Sequence, residues 1–260
     1  MSRKPDIEAF RDDGYSEKYK TKIFQETARD DNPYCESHVR CQGYDQLELI
    51  EHLGFSEYLF LMMRGQLPSK SESQLLNRAL IAFSNPGVRH PATRAAVAAG
   101  VGKTLATNIL PAALLVFSGE DNAAGSIEPA MRFLRKTIKL PTTEILGSPD
   151  LDILGFGLHY GSEHHYLDQV CDTLIADSDM PYLQWGRRFI SECRALERPI
   201  GWLHTGLAAA VFCDLGVMPK FGASLYQLMA SSGLLVQGLE STNKPPTALP
   251  FVRDEDYQID

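Results

Sequence analysis

The apolar residues of this chain change rhythm near position 43. Up to about residue 40 the sequence is polar and irregular, and Asp30-Asp31-Asn32-Pro33 is a turn signal. That stretch is expected to be an arm lying on a larger surface. From Leu47 the spacing becomes helical, with Leu47, Ile50 and Leu53 in step. Ser56 is expected to cap a helix over Glu57 to Arg64, and Gly65 to stop it. Ser71 with Gln74 makes a capping box. Behind it Leu75, Leu76, Ala79, Leu80 and Phe83 form one apolar stripe. Ser84 to Pro91 reads as a loop. Thr93 to Phe117 is rich in Ala and Gly, suits close helix packing at the centre of a fold, and should be kinked or divided at Pro111.

Further along, Ile127 to Lys136 predicts a short helix, and Leu140 to Asp152, with two prolines and a glycine, a connection. Gly155 to Gly161 is a glycine-spaced loop. Tyr166 to Ile175 and Tyr182 to Leu196 read as amphipathic helices, Gly206 to Leu215 and Ala223 to Leu239 as buried ones. The tail from Ser241 holds Pro245, Pro246 and Pro250 and cannot be helical throughout. Neither strand alternation nor an internal repeat is evident. The expected class is mainly α, divided into an arm (residues 1–42), a helical domain (43–240) with room for a small lobe, and a tail (241–260).

Composition narrows the function. A hydrophobic fraction of 44% over 260 residues supports a large core, and the net charge of -8 without a basic stripe argues against nucleic acid or an anionic membrane as partner. The longest apolar run, Ile109 to Phe117, is interrupted by Pro111 and falls short of the roughly 20 residues of a membrane span. Met1 to Asp31 is charged and has no apolar leader core. Five cysteines, an odd number without a C-x-x-C pair, point to reduced thiols and a cytoplasmic protein, with Cys193 and Cys213 as packing residues. Gly102-Lys103-Thr104 resembles the end of a P-loop, but Val97 stands where its first glycine is needed and no strand precedes it.

Four segments, in order, resemble the citrate synthase and citryl-CoA lyase superfamily, most closely the lyase domain of ATP-citrate lyase. Gly43-Tyr44-Asp45 followed by Phe55 to Pro68 resembles "GYD … SFEEVAYLLLYGELP". His90-Pro91, Gly102-Lys103 and Gly119 to Ser126 resemble "DHGP … AGKDL … GDRFGGA". Gly155-Phe156-Gly157-Leu158-His159 resembles "GFGHR", the loop that meets coenzyme A and supplies a catalytic histidine. Leu203 to Gly206, Ala208 to Ala210 and Asp214-Leu215-Gly216 resemble "NVDG … AA … DLG", whose first aspartate is the general base. The resemblance implies a citrate-synthase-like helical fold. It also implies a homodimer, a short acyl-CoA thioester and a carboxylate-containing partner as substrates, no metal, and contact of Gly155, Phe156 and Gly157 with coenzyme A.

The catalytic positions depart from that pattern. The synthases' "HGGANEA" corresponds to Ala123 to Pro129, without its histidine. Leu158 stands where the "GFGHR" histidine belongs, and His159 follows it; Thr205 stands at the base position, and His204 precedes it. Breaking a carbon–carbon bond beside a thioester needs a group that moves a proton and a donor for the enolate oxygen. Threonine cannot be that base at neutral pH and leucine can donate nothing, whereas a histidine of near-neutral pKa is a competent acid or base. His159 and His204 are therefore candidate acid–base residues; the alternative is drift in a site that no longer reacts. His90 with Arg89, before the central helix, is a candidate carboxylate or phosphate site, or a capping cluster. His165 falls near the arginine that grips the substrate carboxylate in the family; with His164 it reads otherwise as an exposed helix N-terminus.

Overall fold

The computed structural model describes residues 19–148, 152–175 and 179–258. The chain forms two compact units, divided between Ser69 and Lys70.

Where it is described, the expected arm (residues 1–42) is not irregular; its residues 1–18 lie outside the described residues. Strands β1 (Phe24–Ala28) and β2 (Glu36–Cys41) pair antiparallel, with a register shift at Thr27/Ala28, and β3 (Tyr44–Asp45) pairs with β2. The hairpin was invisible to a periodicity argument because almost every position in β1 and β2 is exposed, so no buried face imposes alternation. Two helices follow, α1 (Gln46–His52) and α2 (Phe55–Arg64). Their caps differ from the sequence expectation. Asp45 accepts from Leu47 N at 2.8 Å to start α1, and the Glu57 carboxylate accepts from Gly54 N at 2.9 Å to start α2. Gly65 ends α2 in the left-handed region (φ +73°), as expected. Of the residues in helical step, Leu47 and Ile50 are exposed, while Leu53 packs against the cluster of Leu49, Cys41 and Leu61.

The second unit is built from helices α3 (Lys70–Ala82), α4 (Pro91–Val101), α5 (Ala106–Phe117), α6 (Ile127–Thr137), α7 (Thr142–Gly147), α8 (His165–Ile175), α9 (Pro181–Ala195), α10 (His204–Asp214) and α11 (Pro219–Glu240). The break in the Ala-rich segment comes at residues 102–105, where Lys103 takes φ +59°, and not at Pro111. Pro111 lies within α5, where it removes one backbone donor without dividing the helix. α10 is buried from Thr205 to Cys213, apolar on every side, and packs on α6 and α9. α4, α5 and α11 pack together. A Cβ at Gly100 would lie 2.2 Å from Gly238 O, so α4 and α11 cross with backbone in contact.

Two further strands hold the site. β4 (Phe156–Gly157) pairs antiparallel with β5 (Gly201–Trp202), Phe156 opposite Trp202. Phe156 stacks on Trp202 (4.7 Å between ring centroids) and touches Phe133, Trp185 and Phe189 edge-on. Gly186 gives the Trp202 ring its place: a Cβ there would lie 2.1 Å from it.

Candidate active site

The chain leaves β4 in a tight turn. His159 N donates to Ser162 O at 2.8 Å and Ser162 N to His159 O at 3.2 Å. The central residues Tyr160 and Gly161 both have positive φ, +50° and +84°, the signature of a type I′ turn. Leaving β5, Leu203 N donates to Gly155 O at 3.1 Å and α10 begins at His204. Gly155 (φ +85°) and Gly206 face each other so closely that a Cβ on Gly206 would lie 1.8 Å from Gly155 O. This crossing brings the turn after β4 and the start of α10 side by side.

The result is an imidazole cluster. The His159 and His164 rings stack at 5.1 Å with 15° between planes; His204 meets His164 edge-on at 5.0 Å and His159 at 6.1 Å. The two histidines named from sequence therefore face one cleft. Between them stands His164, which sequence reasoning had grouped with exposed helix-start residues. Nothing in its spacing marks it, because its position depends on how Glu163 is anchored. Arg194 on α9 donates to Glu163 at 2.6 Å and to Asp168 on α8 at 2.9 Å, fixing both ends of the segment that carries His164. Nδ1 of His164 is buried and meets no hydrogen-bond partner among the described residues. Burial, reinforced by His164, His159 and His90, lowers the His204 pKa to about 4. Burial and the neighbouring His164 also lower that of His159.

The other candidates are placed as follows. His90 is the N-cap of α4: its Nδ1 accepts from Ala92 N at 3.1 Å, and its Nε2 lies 3.2 Å from Asn122 O. Those two bonds specify a neutral ring protonated on Nε2, and burial lowers its pKa. Arg89 is exposed and lines the cleft beside it. His165 points away; its side chain is 75% exposed, with Nδ1 3.6 Å from Asp168. Phe156 is locked in the aromatic core, so within Gly155-Phe156-Gly157 a ligand can meet backbone but not the Phe156 ring. Leu158 is 45% exposed and Thr205 2% exposed. Among the described residues no group of three or more His, Cys, Asp or Glu side chains is arranged to hold a metal ion.

A cleft of about 770 Å³ opens over the cluster, bounded by the loop from Asn85 to Pro91, by Asn122, Tyr160 and Tyr166, and by Phe83 and Tyr226. That loop is tied to α11: Gly233 N donates to Ser84 O at 2.9 Å, and Gln237 Nε2 to Asn85 Oδ1 at 3.0 Å.

No protein-family model and no curated protein matches the sequence. Solved structures do match the fold. A citryl-CoA lyase from Hydrogenobacter thermophilus superposes with a TM-score of 0.75 at 21% identity, over 93% of this chain and 94% of its own. An ATP citrate lyase from Methanothrix soehngenii, in complex with citrate and coenzyme A, gives 0.70 at 13% identity, over 98% of this chain and 45% of its own. A citrate synthase from Thermoplasma acidophilum, in a ternary complex with carboxymethyl coenzyme A and oxaloacetate, gives 0.57 at 16%, over 79% and 58%. With its helices in this order and the paired β4–β5 segment beside α10, the chain has the mainly α fold of the citrate synthase and citryl-CoA lyase superfamily.

Proposed function

We propose that this protein is a diverged relative of the citryl-CoA lyases that makes or breaks a carbon–carbon bond beside a short acyl-CoA thioester, with a carboxylate-containing partner. The observation that carries the reading is the meeting of His159 and His204 in one cleft, each one residue from a position where the family needs histidine or aspartate. In the cleavage direction a base takes the proton of the β-hydroxyl. The bond between the α- and β-carbons breaks, the β-carbon becomes a carbonyl, and the enolate left on the thioester is protonated at carbon. Condensation is the reverse. His204, at about 4, has nearly the basicity of an ordinary aspartate, the residue type the family carries where this chain has the neighbouring Thr205. At neutral pH it is unprotonated and able to accept. His159, kept neutral by burial, offers an N–H to the enolate oxygen, as a neutral imidazole can.

The test is solvent exchange. In D2O the wild-type protein should incorporate deuterium into the methyl group of acetyl-CoA, and H204A should exchange roughly 100-fold more slowly. Absence of exchange together with absence of coenzyme A binding by calorimetry would dispose of the reading. A second reading, a non-catalytic subunit that binds coenzyme A or a carboxylate, is favoured by the buried Thr205 and by Phe156 being closed into the core. Its mark is binding without exchange. On either reading Leu158 and Thr205 imply poor citrate synthase and citryl-CoA lyase activity.

A homodimer is part of the proposal. α5 and α11 pack together yet leave Leu115, Val116, Leu228 and Val236 exposed, apolar surface suited to a second copy. Light scattering should give twice the chain mass. All five cysteines are free thiols, in keeping with a reducing, cytoplasmic setting.

A further inference from the structure

The walls of the cleft say more about the partner than the cluster does. Among the described residues that line it, the only lysine or arginine is Arg89, at the exposed rim, and the only carboxylate is Asp121, also exposed. Apart from His90, the three imidazoles of the cluster, Asn85 and Asn122, the remaining wall is aromatic or apolar. Phe83 and Tyr226 are buried and pack edge-on at 5.8 Å, and Tyr226 lies 5.2 Å from Phe117. Tyr160 and Tyr166 are exposed at the mouth. A di- or tricarboxylate needs a cationic fork or equivalent for each charged end, because an unpaired carboxylate drawn from water carries a large desolvation penalty. Here one cationic fork exists, since both ring nitrogens of His90 are taken up at the start of α4 and the other three imidazoles form the cluster. His165, the other candidate for a carboxylate, points out of the cleft.

Tyr160 is the second observation. A bulky residue at φ +50° is uncommon and strained, and asparagine or glycine would serve the turn better. The strain holds a ring that is 84% exposed against His159, 4.5 Å between centroids, at the edge of the cleft. A strained aromatic on a surface turn, sheltering nothing of the core, is explained if its face meets a ligand.

We propose that the carbonyl partner bound in this cleft is a monocarboxylic 2-oxo acid with an aromatic side chain, its carboxylate at Arg89 and its ring against Tyr160. The inference rests on the reading above for its reaction and concerns the same site. In it, the acyl-CoA α-carbon gives up a proton and bonds to the keto carbon, whose oxygen takes a proton to become a hydroxyl. No redox step is involved.

Calorimetry separates the two claims. Phenylpyruvate, oxaloacetate and citrate would be titrated into the protein with and without saturating coenzyme A. Phenylpyruvate should bind at least about tenfold more tightly than either polycarboxylate, in line with one aromatic stacking contact and one avoided unpaired charge. Y160A should abolish that preference, Y160F should keep it, and R89A should weaken phenylpyruvate. Oxaloacetate or citrate binding as tightly as phenylpyruvate would overturn the inference, as would a Y160A protein with the preference intact, or no binding of any of the three. If coenzyme A fails to bind while phenylpyruvate is still preferred, the partner assignment stands and the thioester reaction falls.

Discussion

The two ends of the β4–β5 pair are built on opposite principles. At the inner end, Gly155 against Gly206 and Phe156 against Trp202 leave no room, and the backbones touch. At the outer end, four to six residues along the chain, it turns through Tyr160-Gly161, and the His159, His164 and His204 rings border an open cleft. Tight packing tolerates one side chain or none; the cleft can exchange side chains without unfolding the protein. That difference sets Gly155 and Gly206, where no side chain fits, apart from His159 and His204, whose rings border open space. It also predicts which substitutions should be felt as loss of structure and which as loss of chemistry.

The largest effect is expected from G206A. Its methyl would have to displace Gly155 backbone, with no flexible side chain to yield, so the loss should exceed the roughly 1–3 kcal/mol usual for overpacking. Urea denaturation, or failure to recover soluble protein, measures it. A G206A protein of wild-type stability would show that the two segments do not meet as described.

H159A and H204A should do the reverse. Each should slow the bond-making reaction, or the exchange that reports it, about 100-fold or more. H159A should leave the urea midpoint nearly unchanged, since its ring borders open space. A large midpoint shift with intact chemistry would assign His159 to the core instead.

Two buried groups should leave opposing marks on the pH dependence of stability. His204 titrates at about 4 when folded against 6.5 ordinarily, so between those values the unfolded chain holds a proton that the folded one refuses. Its contribution is therefore lost as pH falls from 6.5 through 4. Asp214 accepts from Tyr182 N and Leu183 N at the start of α9, yet burial raises its pKa from 3.8 to about 7. There the folded state holds the extra proton, and stability is lost as pH rises from 3.8 through 7. Near pH 5 to 6 the two slopes oppose each other, each at most about 1.4 kcal/mol per pH unit. H204A should steepen the gain in stability on acidification, and D214N should reverse it; parallel profiles for all three proteins would refute both assignments.

The smallest effect is expected from H165A. Its exposed ring faces Asp168, which Arg194 already engages, so both exchange rate and stability should stay within about twofold and 0.5 kcal/mol of wild type. A 100-fold loss would return His165 to the cleft.

Reading the chain alone located most helices of the second unit, because their apolar stripes are long and periodic: the Leu75, Leu76, Ala79, Phe83 face is buried as its spacing requires. It also located the loop and the helix start that carry His159 and His204, through resemblance to known motifs. It missed the β1–β2 hairpin, whose exposed faces carry no alternation. It could not distinguish His164 from His165. Adjacent positions at a helix start point in directions set by the preceding chain, and here that chain is held by Arg194, 31 residues beyond Glu163. Local periodicity is written in the order of residues. Which imidazoles share a cleft depends on contacts between segments far apart in that order, above all Gly155 against Gly206, and only the folded backbone brings those together.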